Sequence, residues 1–279
     1  MPEATGDRPS QQPGAPRPGG ERPADDGTSV AVRVLSYNVR SLRDDRAALA
    51  RVVRACAPDV LLVQEAPRFF RWRKAAARLA RETGLYHVTG GATACGPMVL
   101  ADLGAHVEHT EDVLLPRTPG LHRRGLATAV LRVRGARLGV ASFHLSLAAA
   151  ERRSQARSLL GHLERWRTEG VPAGVRRPGA TVPVQHAVVG GDVNEGPAGR
   201  AFRSLAEDLT DAWAAKQWGG EHTNPAAAPR QRIDAVFTTP DVEVLACGVP
   251  REVPGVREAD LRAASDHLPV LADLRVPMG

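Results

Sequence analysis

The sequence predicts an α/β fold in which α and β layers pack around mixed β-sheets. Two observations lead to this prediction. β-branched apolar runs alternate with amphipathic helical segments, and some neighbouring runs are joined by a tight turn instead of a helix. The chain has 279 residues, of which 43% are hydrophobic, enough for the core of one large domain or two small ones.

The first strand–helix unit lies at residues 30–58. Residues 30–37 form a β-branched run, typical of a buried strand, that ends at Asn38. The next segment has apolar residues at positions i, i+3, i+4 and i+7, which is the pattern of an amphipathic helix. Asp44 or Asp45 can cap this helix, and Pro58 ends it.

A second unit follows at residues 60–84. Residues 60–63 predict another buried strand, directly followed by Gln64 and Glu65. Residues 68–83 predict an arginine-rich helix, which Gly84 terminates because glycine readily adopts the left-handed conformation of a C-cap.

The rest of the chain continues with strands, one long helix and a loop. Gly135–Ala136 is a tight connection and predicts a β-hairpin. Residues 148–167 carry an apolar stripe that predicts a helix, and the Gly/Pro/Arg stretch 170–183 predicts a surface loop. The further predicted strands are residues 98–101, 106–114, 127–134, 137–143, 184–189, 233–238, 242–246 and 270–274.

Charge divides the chain into a short acidic part and a long basic part. Lys and Arg number 37 against 31 Asp and Glu, a net charge of +6. Residues 1–29 are rich in Pro and Gly and predict a disordered tail. This tail has three arginines and five acidic residues, a net charge of −2, which leaves +8 on residues 30–279. Polyanions are therefore plausible partners on electrostatic grounds.

The cysteines and the lack of long apolar runs indicate the cellular compartment. Cys56, Cys95 and Cys247 are far apart and odd in number, which argues against a disulfide framework or a thiolate zinc site. No signal-like apolar segment is present, and no run approaches the ~18 apolar residues of a membrane-spanning helix. We expect a cytoplasmic protein.

Polar residues recur at the ends of the predicted strands, which is how sheet-based enzymes place a site on a rigid scaffold. Each residue alone has a structural explanation, such as an Asx turn, a helix-dipole contact, a satisfied core histidine or an ion pair with Arg232. Together they form a set of candidate functional residues: Asn38, Glu65, His144, Asp192, Asn194, Asp234, Asp266 and His267.

Six short motifs contain these residues: S-Y-N at 36–38, Q-E at 64–65, S-F-H-L at 142–145, G-G-D-V-N at 190–194, R-I-D-A-V-F at 232–237 and S-D-H-L-P-V at 265–270. Their identity and order resemble the endonuclease/exonuclease/phosphatase superfamily over residues 31–276. The resemblance implies a four-layer α/β sandwich, with two mixed β-sheets packed face to face and helices outside. Because one site needs motifs from both ends, residues 30–279 are predicted to form one domain.

The resemblance also implies metal-dependent hydrolysis of a phosphate ester. A divalent cation neutralises the anionic ester and stabilises the leaving alkoxide. The implied ligands are Glu65 and Asn38, with Asp266 as a further candidate, and the implied metal is Mg²⁺ or Mn²⁺ because the ligands are oxygen atoms.

The remaining motif residues receive catalytic and substrate-binding roles from the same resemblance. Asp192 orients and deprotonates the attacking water, and Asn194 binds the phosphate or holds Asp192. His267 stabilises the transition state, and Asp234 keeps its imidazole protonated and oriented. His144 binds phosphate or assists the leaving group.

The predicted function is therefore a phosphodiesterase, with a nuclease acting on DNA or RNA preferred because the body is basic. The alternatives are a sphingomyelinase-like or inositol-phosphatase-like phosphoesterase and a catalytically inactive polyanion-binding module. With two Tyr and five Phe, the sequence offers no exposed aromatic element for membrane insertion. We expect a monomer without stable membrane association.

Two arginine-rich segments have either a functional or a structural explanation. Residues 68–74 contain three arginines and a lysine beside Trp72, and Arg123–Arg124 form a second basic pair. Both segments can contact a polyanion, in the first case with an aromatic stacking partner. A solvated surface is the commoner explanation of such basic runs.

Overall fold

Two mixed six-stranded β-sheets form the centre of the protein in a computed structural model that describes residues 25–173 and 179–278. The strands are β1 Ser29–Asn38, β2 Val60–Gln64, β3 Tyr86–Gly90, β4 Met98–Ala101, β5 Ala105–Leu114, β6 Gly125–Val133, β7 Ala136–His144, β8 Val171–Pro172, β9 Thr181–Val182, β10 Ala187–Asp192, β11 Thr210–Asp211, β12 Asp234–Thr238, β13 Glu243–Gly248 and β14 Val270–Pro277. The helices are α1 Arg46–Cys56, α2 Trp72–Thr83, α3 Ala149–Thr168, α4 Arg200–Asp208, α5 Ala212–Ala215 and α6 Glu258–Ala264.

The strand order places a parallel pair inside each sheet. The first sheet has the order β13-β14-β1-β2-β4-β3, and the second has the order β11-β12-β10-β7-β6-β5. β1 and β2 are parallel, as are β7 and β10, and the other pairs are antiparallel. The carboxyl ends of parallel neighbours lie at the same edge of a sheet, so each sheet brings two strand ends together.

Three apolar layers confirm the predicted four-layer sandwich. Alternate residues of a strand face opposite sides of its sheet. Val32 and Val34 of β1 therefore pack into the layer between the sheets, whereas Leu35 and Tyr37 pack against α1, α2 and α6. A third apolar layer joins the outer face of the second sheet to α3 and α4. Because β1 is buried on both faces, its sequence is a nearly continuous apolar run.

Local signals account for most of the element boundaries. Asp45, and not Asp44, caps α1, because its carboxylate accepts hydrogen bonds from the backbone N–H groups of Ala47 and Ala48. The β6–β7 hairpin turns one residue earlier than predicted, at Arg134–Gly135. Both of these residues have positive φ, as a type I′ turn requires.

Other predictions differ from the structure at a helix, a strand and a loop. α2 begins at Trp72 instead of residue 68, because Arg71 has a φ of 60° and interrupts the helical backbone. β10 begins at Ala187 instead of residue 184, since the N–H of Val184 donates to the carbonyl of Trp166 in α3 and not to a neighbouring strand. The predicted loop 170–183 pairs at its ends as β8 and β9; its residues 174–178 lie outside the described residues.

The predicted tail lies largely outside the part of the chain that the structure describes, which begins at Asp25. Its last described residues contact the body. Asp26 accepts hydrogen bonds from the backbone N–H groups of Thr28 and Ser29, and its carboxylate forms an ion pair with Arg275 of β14. β1 begins at Ser29. Within residues 25–173 and 179–278, no helix is long and apolar enough to cross a membrane.

Candidate active site

The candidate site lies at one edge of the layer between the two sheets. Four strands, β1, β2, β7 and β10, change from large apolar to small or polar residues along their inward faces as they approach this edge. The inward positions are Val34, Ser36 and Asn38 in β1, Val60, Leu62 and Gln64 in β2, Val140, Ser142 and His144 in β7, and Val188, Gly190 and Asp192 in β10. The last inward residue of each strand is therefore polar and buried, and these residues meet where the sheets meet.

Strand register aligns the polar residues of the second sheet. His144 of β7 is paired with Asp192 of β10, and Asp192 is paired with Asp234 of β12. Laterally paired residues share one face of a sheet, so the three side chains form a row across it. The facing sheet contributes Asn38, which is paired with Gln64.

Two glycines allow the backbone of β10 to lie close to its neighbours. A Cβ atom at Gly190 would meet the side chains of Leu62 and Ser36 in the facing sheet at 2.9 and 3.1 Å. A Cβ atom at Gly191 would lie 2.0 Å from the carbonyl oxygen of Phe143. The G-G-D motif is therefore a packing requirement that brings Asp192 between the sheets.

A buried polar network lies beneath the site and joins the sheets. Gln64 Nε2 donates to Ser142 Oγ at 3.1 Å, and Ser142 Oγ donates to the carbonyl oxygen of Val63 at 2.6 Å. Ser265 Oγ donates to the carbonyl oxygen of Asn38 at 2.7 Å, which ties the S-D-H segment to the end of β1. These bonds fix the relative positions of elements distant in sequence.

Asp192 is the central residue of the site. Its carboxylate accepts hydrogen bonds from Asn38 Nδ2 at 3.1 Å and from the backbone N–H of Asn194 at 2.8 Å. Nε2 of His144 and of His267 lie 3.4 and 3.9 Å from its Oδ2. Burial, together with the nearby carboxylate of Asp234, raises the pKa of Asp192 to about 7. This carboxylate can therefore exchange a proton near neutral pH.

His267 is held by Asp234. Its Nδ1 lies 2.8 Å from Asp234 Oδ2, and its Nε2 points toward Asp192. Burial alone would lower the pKa of His267, but the charge and hydrogen bond of Asp234 raise it to about 9. The imidazole is consequently a cation at neutral pH. Arg232, the alternative partner of Asp234, instead forms a bidentate pair with Asp211.

His144 is neutral, in contrast to His267. Asn194 Nδ2 lies 2.9 Å from both His144 Nε2 and the carbonyl oxygen of Leu145. We assign the amide as donor to both, which makes Nε2 an acceptor and places the proton on Nδ1. Burial, with the charge of Arg124, holds the pKa of His144 well below its usual value.

Glu65 lies directly after β2 with a carboxylate that receives no hydrogen bond from any residue in the described ranges. The nearest titratable contact is Nδ1 of His144, 3.9 Å from Oε1. The side chain is 38% exposed, so this carboxylate is available to a ligand. Asn38 of β1 is paired with Gln64, the residue before Glu65, and its Oδ1 accepts the backbone N–H of Arg40 at 3.1 Å. A carboxylate and an amide oxygen at the site edge fit a hard cation such as Mg²⁺ or Mn²⁺.

Asp266, the third predicted metal ligand, is engaged in an ion pair, unlike Glu65. Asp266 is half-exposed, and its Oδ2 forms an ion pair with Arg40 Nε at 3.3 Å. In the described part of the chain, the acidic and histidine side chains whose ligand atoms lie within 4.8 Å of one another are Asp192, Asp234 and His267. This cluster consists of residues that the sequence assigned to proton transfer and phosphate stabilisation.

Arg124 lies close enough to the site for its charge to matter. From the sequence, the Arg123–Arg124 pair could either contact a polyanion or be solvated surface. Arg124 directly precedes β6, and the charges of Asp192, Glu65 and Arg68 act on it. Burial lowers the pKa of its guanidinium. Its side chain has no hydrogen-bond or ion-pair partner among residues 25–173 and 179–278. A half-buried cation with free donors, close enough to feel the charges of two carboxylates, is suited to an anionic ligand.

Comparison with known proteins identifies the family to which these motifs correspond. The family model described as "Endonuclease/Exonuclease/phosphatase family" matches residues 35–267. No protein with a curated description matches the chain.

Solved structures with the same fold cover most of the chain. An endonuclease/exonuclease/phosphatase from Beutenbergia cavernae is 26% identical, with a TM-score of 0.64, and the match covers 88% of this chain and 72% of that one. A protein of the same description from Bacteroides vulgatus is 18% identical, with a TM-score of 0.68 and coverages of 88% and 99%. A mannosyl-6-phosphatase from Bacteroides thetaiotaomicron is 17% identical, with a TM-score of 0.68 and coverages of 87% and 99%.

Proposed function

Because the chain belongs to the endonuclease/exonuclease/phosphatase family, whose members hydrolyse phosphate esters, we propose that it is a divalent-metal-dependent phosphodiesterase that cleaves nucleic acid. The observation that carries this proposal is the buried cluster of Asp192, His267 and Asp234, in which a proton acceptor lies beside an imidazolium. Such a pair can activate water and stabilise a phosphate transition state within one small volume.

Asp192 is the proposed general base. Its Oδ2 accepts a proton from the water that attacks phosphorus in line with the leaving oxygen, and its pKa near 7 suits that transfer at neutral pH. The hydrogen bonds from Asn38 Nδ2 and the Asn194 N–H hold the carboxylate in a single orientation. Asn194 donates its two amide hydrogens to His144 Nε2 and to the carbonyl oxygen of Leu145, so the phosphate-binding role of this pair falls to the remaining donor, the Nδ1–H of His144, whose tautomer Asn194 fixes.

His267 is the proposed electrostatic stabiliser. Negative charge on the non-bridging phosphate oxygens is concentrated in the transition state, and a fixed imidazolium lowers its energy. Asp234 keeps the proton on the ring and fixes its orientation through Nδ1. The free Nε2–H then points into the site, toward Asp192 and the proposed position of the phosphate.

Glu65 and Asn38 are the proposed metal ligands, and Asp266 can join them if its ion pair with Arg40 opens. A bound divalent cation neutralises the phosphate and stabilises the leaving alkoxide. Arg124 supplies additional positive charge on the same side of the site and is the proposed donor to a non-bridging oxygen.

The net charge supports nucleic acid as the substrate. Residues 30–279 carry the whole positive excess of the chain, since the first 29 residues are net acidic. Arg68 lies near Arg124 at the site, where it contributes to the lowered pKa of both Arg124 and His144. A basic surface attracts the phosphate backbone of a nucleic acid independently of sequence.

A substrate panel tests the proposal. Purified protein is incubated with plasmid DNA, RNA, sphingomyelin, an inositol polyphosphate and bis-p-nitrophenyl phosphate, each with Mg²⁺, Mn²⁺ or EDTA. We expect metal-dependent cleavage of nucleic acid and of the small diester. Absence of cleavage with either metal would refute the enzyme assignment, and cleavage of the lipid or inositol phosphate without nucleic acid would refute the substrate assignment.

A further inference from the structure

Two adjacent phenylalanines project into solvent next to the candidate site. Phe69 is 77% exposed and Phe70 is 90% exposed, contrary to the expectation that the few aromatic residues leave no exposed element. Adjacent exposed aromatic rings on a soluble domain commonly mark a binding surface. Trp72, the aromatic residue that the sequence suggested for stacking, is instead partly covered: a Cβ atom at Gly91 would lie 2.7 Å from its ring.

The rings are surrounded by cations. The guanidinium of Arg68 lies 5.3 Å from the centroid of the Phe69 ring, and that of Arg71 lies 5.4 Å from the centroid of the Phe70 ring. Arg71, Arg73 and Lys74 have no acidic partner within the described ranges of the chain. This arrangement presents apolar faces and uncompensated positive charge together, which is the combination found where proteins bind nucleic-acid strands.

The chain connects this surface directly to the site. Phe69 lies four residues after Glu65, so their Cα atoms are separated by no more than roughly 14 Å. The intervening segment is anchored: the N–H of Ala66 donates to the carbonyl of Gly96, and Arg68 Nη1 donates to the carbonyl of Cys95. The segment that carries the rings is therefore anchored close to the proposed metal ligand.

We propose that Phe69 and Phe70 form a stacking platform for the bases of a single-stranded nucleic acid whose scissile phosphate lies at Asp192. Bases in a duplex are stacked on one another and do not present their faces, whereas unpaired bases do. Arg68, Arg71, Arg73 and Lys74 would contact the phosphates that flank the stacked bases. This inference rests on the proposed function and narrows its substrate to unpaired strands.

A membrane surface is the competing occupant, and the structure favours it less. Interfacial insertion uses an apolar face of appreciable area. Here the apolar element is limited to two rings, each with a guanidinium near it, and no exposed aliphatic residue lies within the segment 67–74. A nucleic-acid strand, whose bases lie beside charged phosphates, matches two adjacent rings that each have a guanidinium group nearby more closely.

Binding of a fluorescent 12-nucleotide single strand, followed by anisotropy, tests the platform. The measurements use Asp192→Asn protein, so that the oligonucleotide stays intact, and add Phe69→Ala and Phe70→Ala singly and together. The matched control is Leu103→Ala, which removes a side chain that is 82% exposed on the β4–β5 turn. We expect the double variant to bind the single strand about tenfold or more weakly, with the control unchanged. Phe69→Tyr and Phe70→Tyr should retain affinity, because they keep the ring.

Three further measurements test the proposal. The affinity of the double variant for a blunt duplex should be less than about threefold weaker than that of the parent protein, because the bases of a duplex cannot stack on the platform. Unchanged single-strand affinity would overturn the platform. Phenylalanine-dependent sedimentation with phosphatidylcholine–phosphatidylserine vesicles, without an effect on the oligonucleotide, would overturn it in favour of a membrane. Metal-dependent hydrolysis of bis-p-nitrophenyl phosphate by the wild-type protein reports separately on the proposed function, since this ester is too small to span the site and the platform.

Discussion

Asp234 Oδ2 lies 2.8 Å from His267 Nδ1, and the opposite nitrogen of the same ring faces Asp192 Oδ2 at 3.9 Å. One imidazole therefore stands between two buried carboxylates of different roles. Asp234 forms the short contact and keeps the ring a cation. Asp192 is farther away, and its oxygens accept hydrogen bonds from Asn38 Nδ2 and the Asn194 N–H. The short contact with Asp234 therefore supplies the charge and the hydrogen bond that raise the pKa of His267.

This arrangement predicts a bell-shaped pH profile. Asp192 must be deprotonated to act as a base, so kcat/KM for bis-p-nitrophenyl phosphate should rise with pH through about 7. His267 must be protonated, so the rate should fall as pH passes about 9. Asp234→Asn removes the charge that raises the pKa of His267, and the alkaline limb should move to lower pH by about one unit or more. An alkaline limb that stays in place in Asp234→Asn would contradict this assignment of His267.

Asp192→Asn should abolish most of the activity without unfolding the protein. The amide is nearly isosteric but cannot accept the proton of water, so we expect kcat to fall by at least about 100-fold. Asp241→Asn is the matched control, because this aspartate forms an exposed pair with His186 outside the candidate site. Near-wild-type turnover in Asp192→Asn, with circular dichroism unchanged, would refute the general-base assignment.

The fold and the motif residues could be predicted because they depend on local pattern. A strand buried on both faces, such as β1, is a continuous apolar run, and its last inward residue is polar where it meets the site. The same logic places Asp192 and His144. These residues meet in one site because each sheet contains a parallel strand pair whose carboxyl ends lie at the same edge. The resemblance implied that the residues form one site, whereas local periodicity could not establish it.

The sequence could not distinguish Arg124 from the surrounding surface arginines. Its role depends on burial beside Asp192 and Glu65, which are distant in the chain. Phe69 and Phe70 were missed because large apolar side chains are expected to be buried and because the helix was predicted to begin at residue 68. The helix begins after Arg71, which has a positive φ, and both rings lie exposed before it. Short elements such as α4 were missed because they carry few periodic residues.

Arg124→Ala should weaken the binding of phosphate esters. Loss of a charge-assisted hydrogen bond in a buried site corresponds to about 1.5–3 kcal/mol, so we expect KM for the diester and the inhibition constant of inorganic phosphate to rise about 10- to 100-fold. Arg124→Lys keeps the charge without the planar fork and should recover only part of the loss. Arg123→Ala removes the exposed neighbouring charge. An equal effect in this control would indicate general electrostatic attraction instead of a contact by Arg124.

Glu65→Gln should abolish metal binding without unfolding the protein. If Glu65 is a ligand, Mg²⁺ or Mn²⁺ raises the unfolding temperature of the wild-type protein, because a ligand that binds only the folded state stabilises it. The increase should disappear in Glu65→Gln, measured by thermal denaturation across a metal titration with EDTA as reference. Glu82→Gln, on the outer surface of α2, should retain the full increase. A metal-induced increase of normal size in Glu65→Gln would exclude this residue as a ligand.

A buried ion pair far from the motif residues should control stability and not chemistry. Arg33 Nε and Nη2 contact Asp273 Oδ1 and Oδ2 at 2.6 and 3.2 Å, and this pair joins β1 to β14 in the interior. Asp273→Asn removes the bidentate carboxylate charge from the buried Arg33 guanidinium, which costs about 3–5 kcal/mol of unfolding free energy. Glu82→Gln breaks the surface pair with Arg78 and should cost less than about 1 kcal/mol. Urea denaturation measures both costs.

The same variant separates stability from catalysis. Because Arg33 lies five residues before Asn38, folded Asp273→Asn protein should keep kcat within about twofold of wild type. A larger loss would mean that this pair also positions the end of β1.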